Sequence, residues 1–307
     1  MTRTFGERLD RWMLKKVFRA GWPILTLRLI EARRIAADLI RYLQSTWRVR
    51  QVTDGSPWAG FIPRATGYKL FGPDAFPELP RVVEACVAVY RKHEGELTPD
   101  KVVNKKYFYN ILTAEDLREH PILLNFALSR PVVEAVAGYL QQVPRLHSLG
   151  VFFSDVNDTI AGSQLYHVDG DALTQVKCFV NAWEVGPGGG AFTFVPKAKT
   201  SGAMRKAGLL KTLSDADVYR AAPANSHVAV TGPAGSGVFV DTSRCLHQGS
   251  RAREHSRLVF QFQYVTRPDA VLSRPQGVVV PGGHLLVTRE LAKGMRLENP
   301  STIMFIG

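Results

Sequence analysis

The 307-residue chain holds only 3 cysteines, Cys86, Cys178 and Cys245, with no Cys-x-x-Cys spacing among them. An odd, scattered set excludes both a disulfide framework and a thiolate zinc site. Long apolar runs are also missing. The longest uncharged stretch near the N-terminus, AGWPILTL at 20–27, is far short of the ~20 residues needed to cross a bilayer. The first fifty residues carry charge throughout and have no apolar core followed by a small-residue cleavage site, so a secretory signal is not expected. A cytoplasmic chain is the expectation. Low-complexity tracts and internal repeats are absent too, and 45% apolar content with 21% charge excludes a disordered tail.

What is present in excess is positive charge, a net +12, and it is unevenly spread. Residues 1–50 carry twelve Lys or Arg against Glu7, Asp10, Glu31 and Asp38, which leaves the other 257 residues only mildly basic. A nucleic-acid enzyme would spread its basic surface around its groove, so nucleic acid is not the expected partner. The excess describes a basic helical extension over 1–50, ahead of a domain spanning 51–307. Within the extension, Phe5, Leu9, Trp12, Met13 and Val17 recur at helical spacing. A second stripe runs through Leu25, Leu29, Ala32, Ala36, Leu39, Leu43 and Trp47. Three readings stand: an arm packed on the domain with its charges solvated, an interfacial helix giving peripheral contact with an anionic membrane, or a cleaved Arg-rich organellar presequence, which Glu7 and Asp10 count against.

Residues 52–80, rich in Gly and Pro, read as loop with short strands, and helical periodicity returns over 80–93, 114–128 and 131–141. From Leu146 the pattern changes. LHSLGVFFS, TQVKCFVNAW, GAFTFVP, HVAVTG, SGVFVDT and RLVFQFQYV are short alternating or apolar runs bounded by Gly, Pro and Ser, the mark of an antiparallel sandwich or barrel over about 146–267. A helix over 203–221 interrupts it and is expected to cap the barrel mouth. The Gly-Pro-Gly-Gly-Gly run at 186–190 lacks a following Lys-Ser/Thr and reads as a hairpin connection, not a phosphate loop.

One histidine of eight is followed two residues on by an acid, His167-Val168-Asp169. In extended chain, residues i and i+2 share a face, so imidazole and carboxylate converge. Such a spacing arises by chance in a chain of this size, and a second segment gives it weight. His247 closes a strand 78 residues after Asp169, and Arg257 opens the next strand ten residues later. Two His and one carboxylate form the facial triad that holds non-haem Fe(II) with positions open for a chelating co-substrate and oxygen. An arginine one strand over can pair bidentately with a far carboxylate. Arg251 and Arg253 compete for that role from the turn. Asp241 is expected to pair with Arg244 or cap a turn, Cys178 and Cys245 to be buried small apolar groups, and His227, His255 and His284 to be structural.

The order HVD, QVKCFVNAWEV, a Gly-rich turn, AFTFVP, an insert, then GPAGSGVFVDTSRCLHQGSR with an arginine ten residues past the histidine resembles the phytanoyl-CoA dioxygenase type of Fe(II)/2-oxoglutarate-dependent oxygenase. The resemblance covers about 100–267. It implies a double-stranded β-helix (jelly-roll, cupin-like) core flanked by α-helices, with iron on His167, Asp169 and His247, the 2-oxoglutarate C5 carboxylate on Arg257, and O2 as oxidant. It also places Lys106, or its neighbour Lys105, near a further 2-oxoglutarate-binding position. The intact Asp169 implies hydroxylation or desaturation of a small-molecule or lipid-like substrate over halogenation. The chain departs from the family at VPKAKTSG, where members often carry Pro-Gly-Ser-His, so the loop and its substrate contacts differ. Two other classes remain: a non-catalytic jelly-roll that binds a ligand or partner, and a cupin-like metalloenzyme that does not use 2-oxoglutarate.

Overall fold

A computed structural model describes residues 39–97, 107–169, 174–207, 212–266, 285–293 and 295–299, with isolated positions 9, 12, 29, 30, 32, 33, 36, 172, 305 and 306 outside those runs. Lys105, Lys106 and His284 lie outside the described residues.

Helices dominate the first half: α1 (Leu39–Thr53), α2 (Leu79–His93), α3 (Ala114–Glu119), α4 (Ile122–Ala127) and α5 (Arg130–Leu140), with short strands β1 (Tyr68–Phe71) and β2 (Tyr109–Asn110) between them. The periodicity over 114–128 is split into two helices at His120-Pro121. Proline restricts the residue before it and has no N–H to continue the ladder. The second half carries β3 (Arg145–Ser154), β4 (Gln175–Asn181), β5 (Thr193–Val195), α6 (Lys197–Ala207), α7 (Asp215–Ala221), β6 (Val228–Ala229), β7 (Gly237–Val240), β8 (Leu246–Gln248), β9 (Arg257–Val265), β10 (Leu285–Leu286) and α8 (Arg289–Lys293).

The strands form two antiparallel sheets, a large one in the order β1-β7-β4-β9-β3-β10 with β2 also on β3, and a small one in the order β6-β5-β8. This is the double-stranded β-helix core with flanking helices. Alternation on the central strands explains the layering. Leu149, Val151 and Phe153 of β3, Val176, Cys178 and Val180 of β4, and Leu258, Phe260, Phe262 and Tyr264 of β9 bury one face of the large sheet under the helical layer. The other face looks into the space between the sheets, where Phe179, Val238, Val240 and Val259 meet Phe192, Phe194 and Val230. On β9 the inward set is therefore Arg257, Val259, Gln261 and Gln263, and the ladder with β4 places Lys177 opposite Gln263.

Two sequence expectations are corrected. The insert is two helices rather than one, and it begins earlier, at Lys197; Ser214 caps the second, its Oγ accepting from the Asp217 N–H at 3.2 Å. Both pack on the small-sheet side against Tyr166 and Leu246. The run at 186–190 is no hairpin, because β4 and β5 belong to different sheets; it carries the chain across from one to the other. Gly190 sits at φ 68°, and a Cβ there would lie 2.5 Å from the Ala252 backbone nitrogen, so only glycine fits that approach.

The helical layer is tied together by a buried carboxylate. Asp116 accepts from the Thr113 N–H at 2.9 Å and the Thr113 hydroxyl at 2.6 Å in a capping box, while Lys92 and His93 at the end of α2 each approach it at 2.8 Å. Burial alone would raise its pKa; the hydrogen bonds from Lys92 and Thr113 overcome this and hold it well below the usual carboxylate range. A depressed folded-state pKa contributes stability above the unfolded value that is lost as pH falls. Asp116→Ala is therefore expected to cost about 2 kcal/mol at neutral pH, the loss of a cap and of a buried ion-pair partner. In urea unfolding, its difference from wild type should shrink below pH ~4.

Candidate metal and co-substrate site

His167 and His247 come together through the backbone. Each N–H donates to the other's carbonyl at 2.9 Å, an isolated antiparallel bridge rather than a run of strand, and it sets the two rings 4.3 Å apart between centroids. Two residues along, the Asp169 N–H donates to the Thr242 carbonyl at 2.9 Å, which keeps the carboxylate on the same side. One ligand atom from each of His167, Asp169 and His247 can be chosen so that all lie within 4.8 Å of one another.

The orientation of the rings is fixed twice in the same way. His167 donates through Nδ1 to the Leu165 carbonyl at 2.8 Å, and His247 through Nδ1 to the Cys245 carbonyl at 2.9 Å, each the carbonyl two residues earlier. A carbonyl can only accept, so these nitrogens hold protons, and it is the Nε2 of a neutral ring that carries the lone pair a metal needs. Both Nε2 atoms face Asp169, at 3.7 Å from Oδ1 and Oδ2 respectively. Two imidazole nitrogens and a carboxylate thus converge, beside the Lys177 ammonium. Such a set could hold a metal ion, and carbonyls on Nδ1 are how protein metal sites orient histidine.

The electrostatics agree. Burial foremost, with the neighbouring His167 ring, pulls the pKa of His247 down to about 3, so its imidazole is neutral and available as a ligand. Burial would raise the pKa of Asp169, but the Lys177 ammonium overcomes it and holds the carboxyl ionised, well below the usual range. Lys177 Nζ lies 2.7 Å from Asp169 Oδ2, leaving Oδ1 as the other carboxylate donor. Sequence reasoning missed this lysine, although it is the one cation in QVKCFVN, a strand whose seven residues are all buried.

Arg257 is buried, and burial lowers its pKa to about 10, so the guanidinium stays protonated. Its Nη1 donates to the Gly190 carbonyl, which the tight glycine crossing brings within reach, and its Nε has no hydrogen-bond partner among the described residues. No ion pair to Arg257 occurs among those residues either, so a buried cation faces the interior without a carboxylate. Directly opposite it in the β3–β9 register is Ser154, whose Oγ is also buried and without a partner among the described residues. Facing residues project from the same side of a sheet, so an arginine and a hydroxyl with unused donors share one face of it. That is the donor set an anionic oxygen ligand requires. Ser154 was not visible in the sequence, where it ends an apolar strand with nothing to mark it.

The competing arginines are engaged elsewhere. Arg251 pairs with Asp215 at 2.6 and 2.8 Å, and Arg253 donates to the Asn157 carbonyl at 2.6 Å. Asp241 accepts from the Tyr139 hydroxyl at 2.6 Å and the Ser243 N–H at 3.1 Å, with Arg244 at 3.7 Å, as its role in the turn before His247 requires. His227 bridges the Tyr166 hydroxyl and the Ala222 carbonyl, a structural pairing. Cys178 and Cys245 are buried thiols whose pKa burial raises.

No family model and no curated protein matches the chain. Among solved structures, EctD from S. alaskensis with bound Fe is similar, at 16% identity over 71% of this chain and 80% of that chain, with a TM-score of 0.50. The non-heme alpha ketoglutarate dependent epimerase SnoN from nogalamycin biosynthesis matches at 16% identity over 74% of this chain and 93% of that one, TM-score 0.43. The carbocyclase SnoK of the same biosynthesis, also described as non-heme alpha ketoglutarate dependent, matches at 17% over 76% and 94%, TM-score 0.46. At 16% identity the likeness to EctD is one of fold.

Proposed function

We propose that this chain is an Fe(II)- and 2-oxoglutarate-dependent oxygenase that hydroxylates a C–H bond of a small molecule. The observation that carries the reading is Arg257: a buried guanidinium with an unpartnered Nε, beside an unpartnered Ser154 hydroxyl, in the same jelly-roll core as two imidazole Nε2 atoms facing one carboxylate. A cation site and a separate anion site together fit a metal and a dicarboxylate that chelates it. The solved structure of similar fold, EctD, holds iron, which supports the choice of metal.

His167, Asp169 and His247 would hold the metal, the two imidazoles as neutral ligands and Asp169 as the anionic one. Iron with 2-oxoglutarate and O2 supplies the oxidation: one oxygen atom enters the C–H bond, the other enters succinate, and CO2 leaves. Lys177 holds Asp169 Oδ2 and so orients the carboxylate. Arg257 and Ser154 would take the C5 carboxylate of the co-substrate through a bidentate, charge-assisted contact. Phe192, 5.3 Å from the His247 ring and stacked on Phe179 at 4.3 Å, keeps water off that side of the site. The helices at 197–207 and 215–221, packed against Tyr166 and Leu246, lie on the small-sheet side of the core next to His167 and His247.

The test is turnover. Fe(II)-reconstituted protein should convert 2-oxoglutarate to succinate in an O2-dependent reaction, slowly alone and faster with one member of a metabolite panel. Bound metal without succinate would leave a cupin-like metalloenzyme; no metal binding at all would leave a ligand-binding jelly-roll.

A further inference from the structure

The stripe Leu29, Ala32, Ala36, Leu39, Leu43 and Trp47 is exposed at every one of its described positions, whereas an arm packed by that stripe would bury it. Leu43 is 56% exposed, Trp47 62%, and the adjoining Ile40 73%. The helix is nonetheless anchored, by a different face: Val49 is buried, the Val143 N–H donates to Ser45 Oγ at 3.0 Å, and α1 lies against α5. One face is thus committed to the fold while a second apolar face points outward. A contiguous exposed apolar surface of this kind marks an interaction site.

We propose that this face docks on an anionic lipid surface, with Leu39, Ile40, Leu43 and Trp47 entering the headgroup boundary. The choice of occupant rests on charge. Between 29 and 53 the sequence carries Arg33, Arg34, Arg41, Arg48 and Arg50 against Glu31 and Asp38, and the first fifty residues carry twelve cations against four acids. A second copy seated on the same face would bring two such segments together and repel. A negatively charged membrane attracts them, accepts the long arginine stems, and takes tryptophan at its interface. Trp12, also exposed, adds a second aromatic to the basic segment. The proposal is independent of any reading of the metal site, and it places the chain at a membrane surface; among the described residues no helix is long and apolar enough to cross one.

The experiment is co-sedimentation of the full chain with vesicles of phosphatidylcholine alone or with about one-third phosphatidylserine. Wild type should pellet with the serine-containing vesicles and be released by high salt. The double variant Leu43→Glu/Trp47→Glu, which alters exposed side chains only, should melt as wild type does and lose at least about tenfold of the partitioning. Absence of wild-type binding, or equal binding by the folded variant, overturns the proposal. So does a wild-type dimer in size-exclusion chromatography that the variant splits, since the face would then belong to a second copy.

Discussion

Asp169→Ala is expected to abolish stable metal binding and to lower 2-oxoglutarate turnover by about 10^3-fold, the several kcal/mol that a bound metal supplies. The carboxylate is the anionic member of the cluster, and without it two neutral imidazoles face the ammonium of Lys177, a field that repels cations. The variant should also be less stable in the metal-free state, by about 3 kcal/mol, because it removes the carboxylate from a buried ion pair and leaves the lysine's charge behind. Asp169→Asn separates the two effects. It keeps the shape and loses the charge, so it should lose metal while giving up less to side-chain rearrangement. Metal content after reconstitution, together with thermal melting of both variants, checks the pair.

Arg257→Met should give effects of opposite sign on binding and on stability. The KM for 2-oxoglutarate is expected to rise by about 10^2-fold, since hydrogen bonds to a charged group contribute about 1.5–3 kcal/mol each and the guanidinium supplies more than one. The metal-free protein should melt higher, because the variant replaces a buried cation, held by a single backbone carbonyl among the described residues, with an apolar chain of similar length. A structural arginine behaves otherwise: its removal lowers the melting temperature and leaves KM alone. Ser154→Ala should move KM in the same direction by about tenfold, the low end of what one hydrogen bond to a charged group contributes.

Much of this site was readable from the sequence, although only Arg257 and Ser154 lie at the ends of strands, whereas His167 and Asp169 lie on chain outside the strands and His247 sits in the middle of the short β8. RLVFQFQYV alternates cleanly enough to put Arg257 on the inward face, and His-Val-Asp needs only extended backbone to bring its two ligands together. What could not be read depends on partners. Ser154 acquires meaning only from the register that sets it against Arg257, a pairing across more than one hundred residues. The glycine run gave no sign that it crosses between sheets and delivers the Gly190 carbonyl to that arginine. Lys177 did leave a signal, a lone cation in a buried strand, but its carboxylate lies on a different segment. The amphipathic stripe from Leu29 to Trp47 shows a related limit: periodicity tells which residues share a face and not what covers it. Here the covered face proved to be the one holding Ser45 and Val49.

The central claim is that His167, Asp169, His247 and Arg257 form one site for Fe(II) and 2-oxoglutarate together. Visible absorption under anaerobic conditions tests it most directly. A weak charge-transfer band should appear when both Fe(II) and 2-oxoglutarate are added and with neither alone, be absent in Asp169→Ala, and need about 10^2-fold more 2-oxoglutarate in Arg257→Met. No band in metal-loaded wild type, or an unchanged band in Asp169→Ala, would contradict the account.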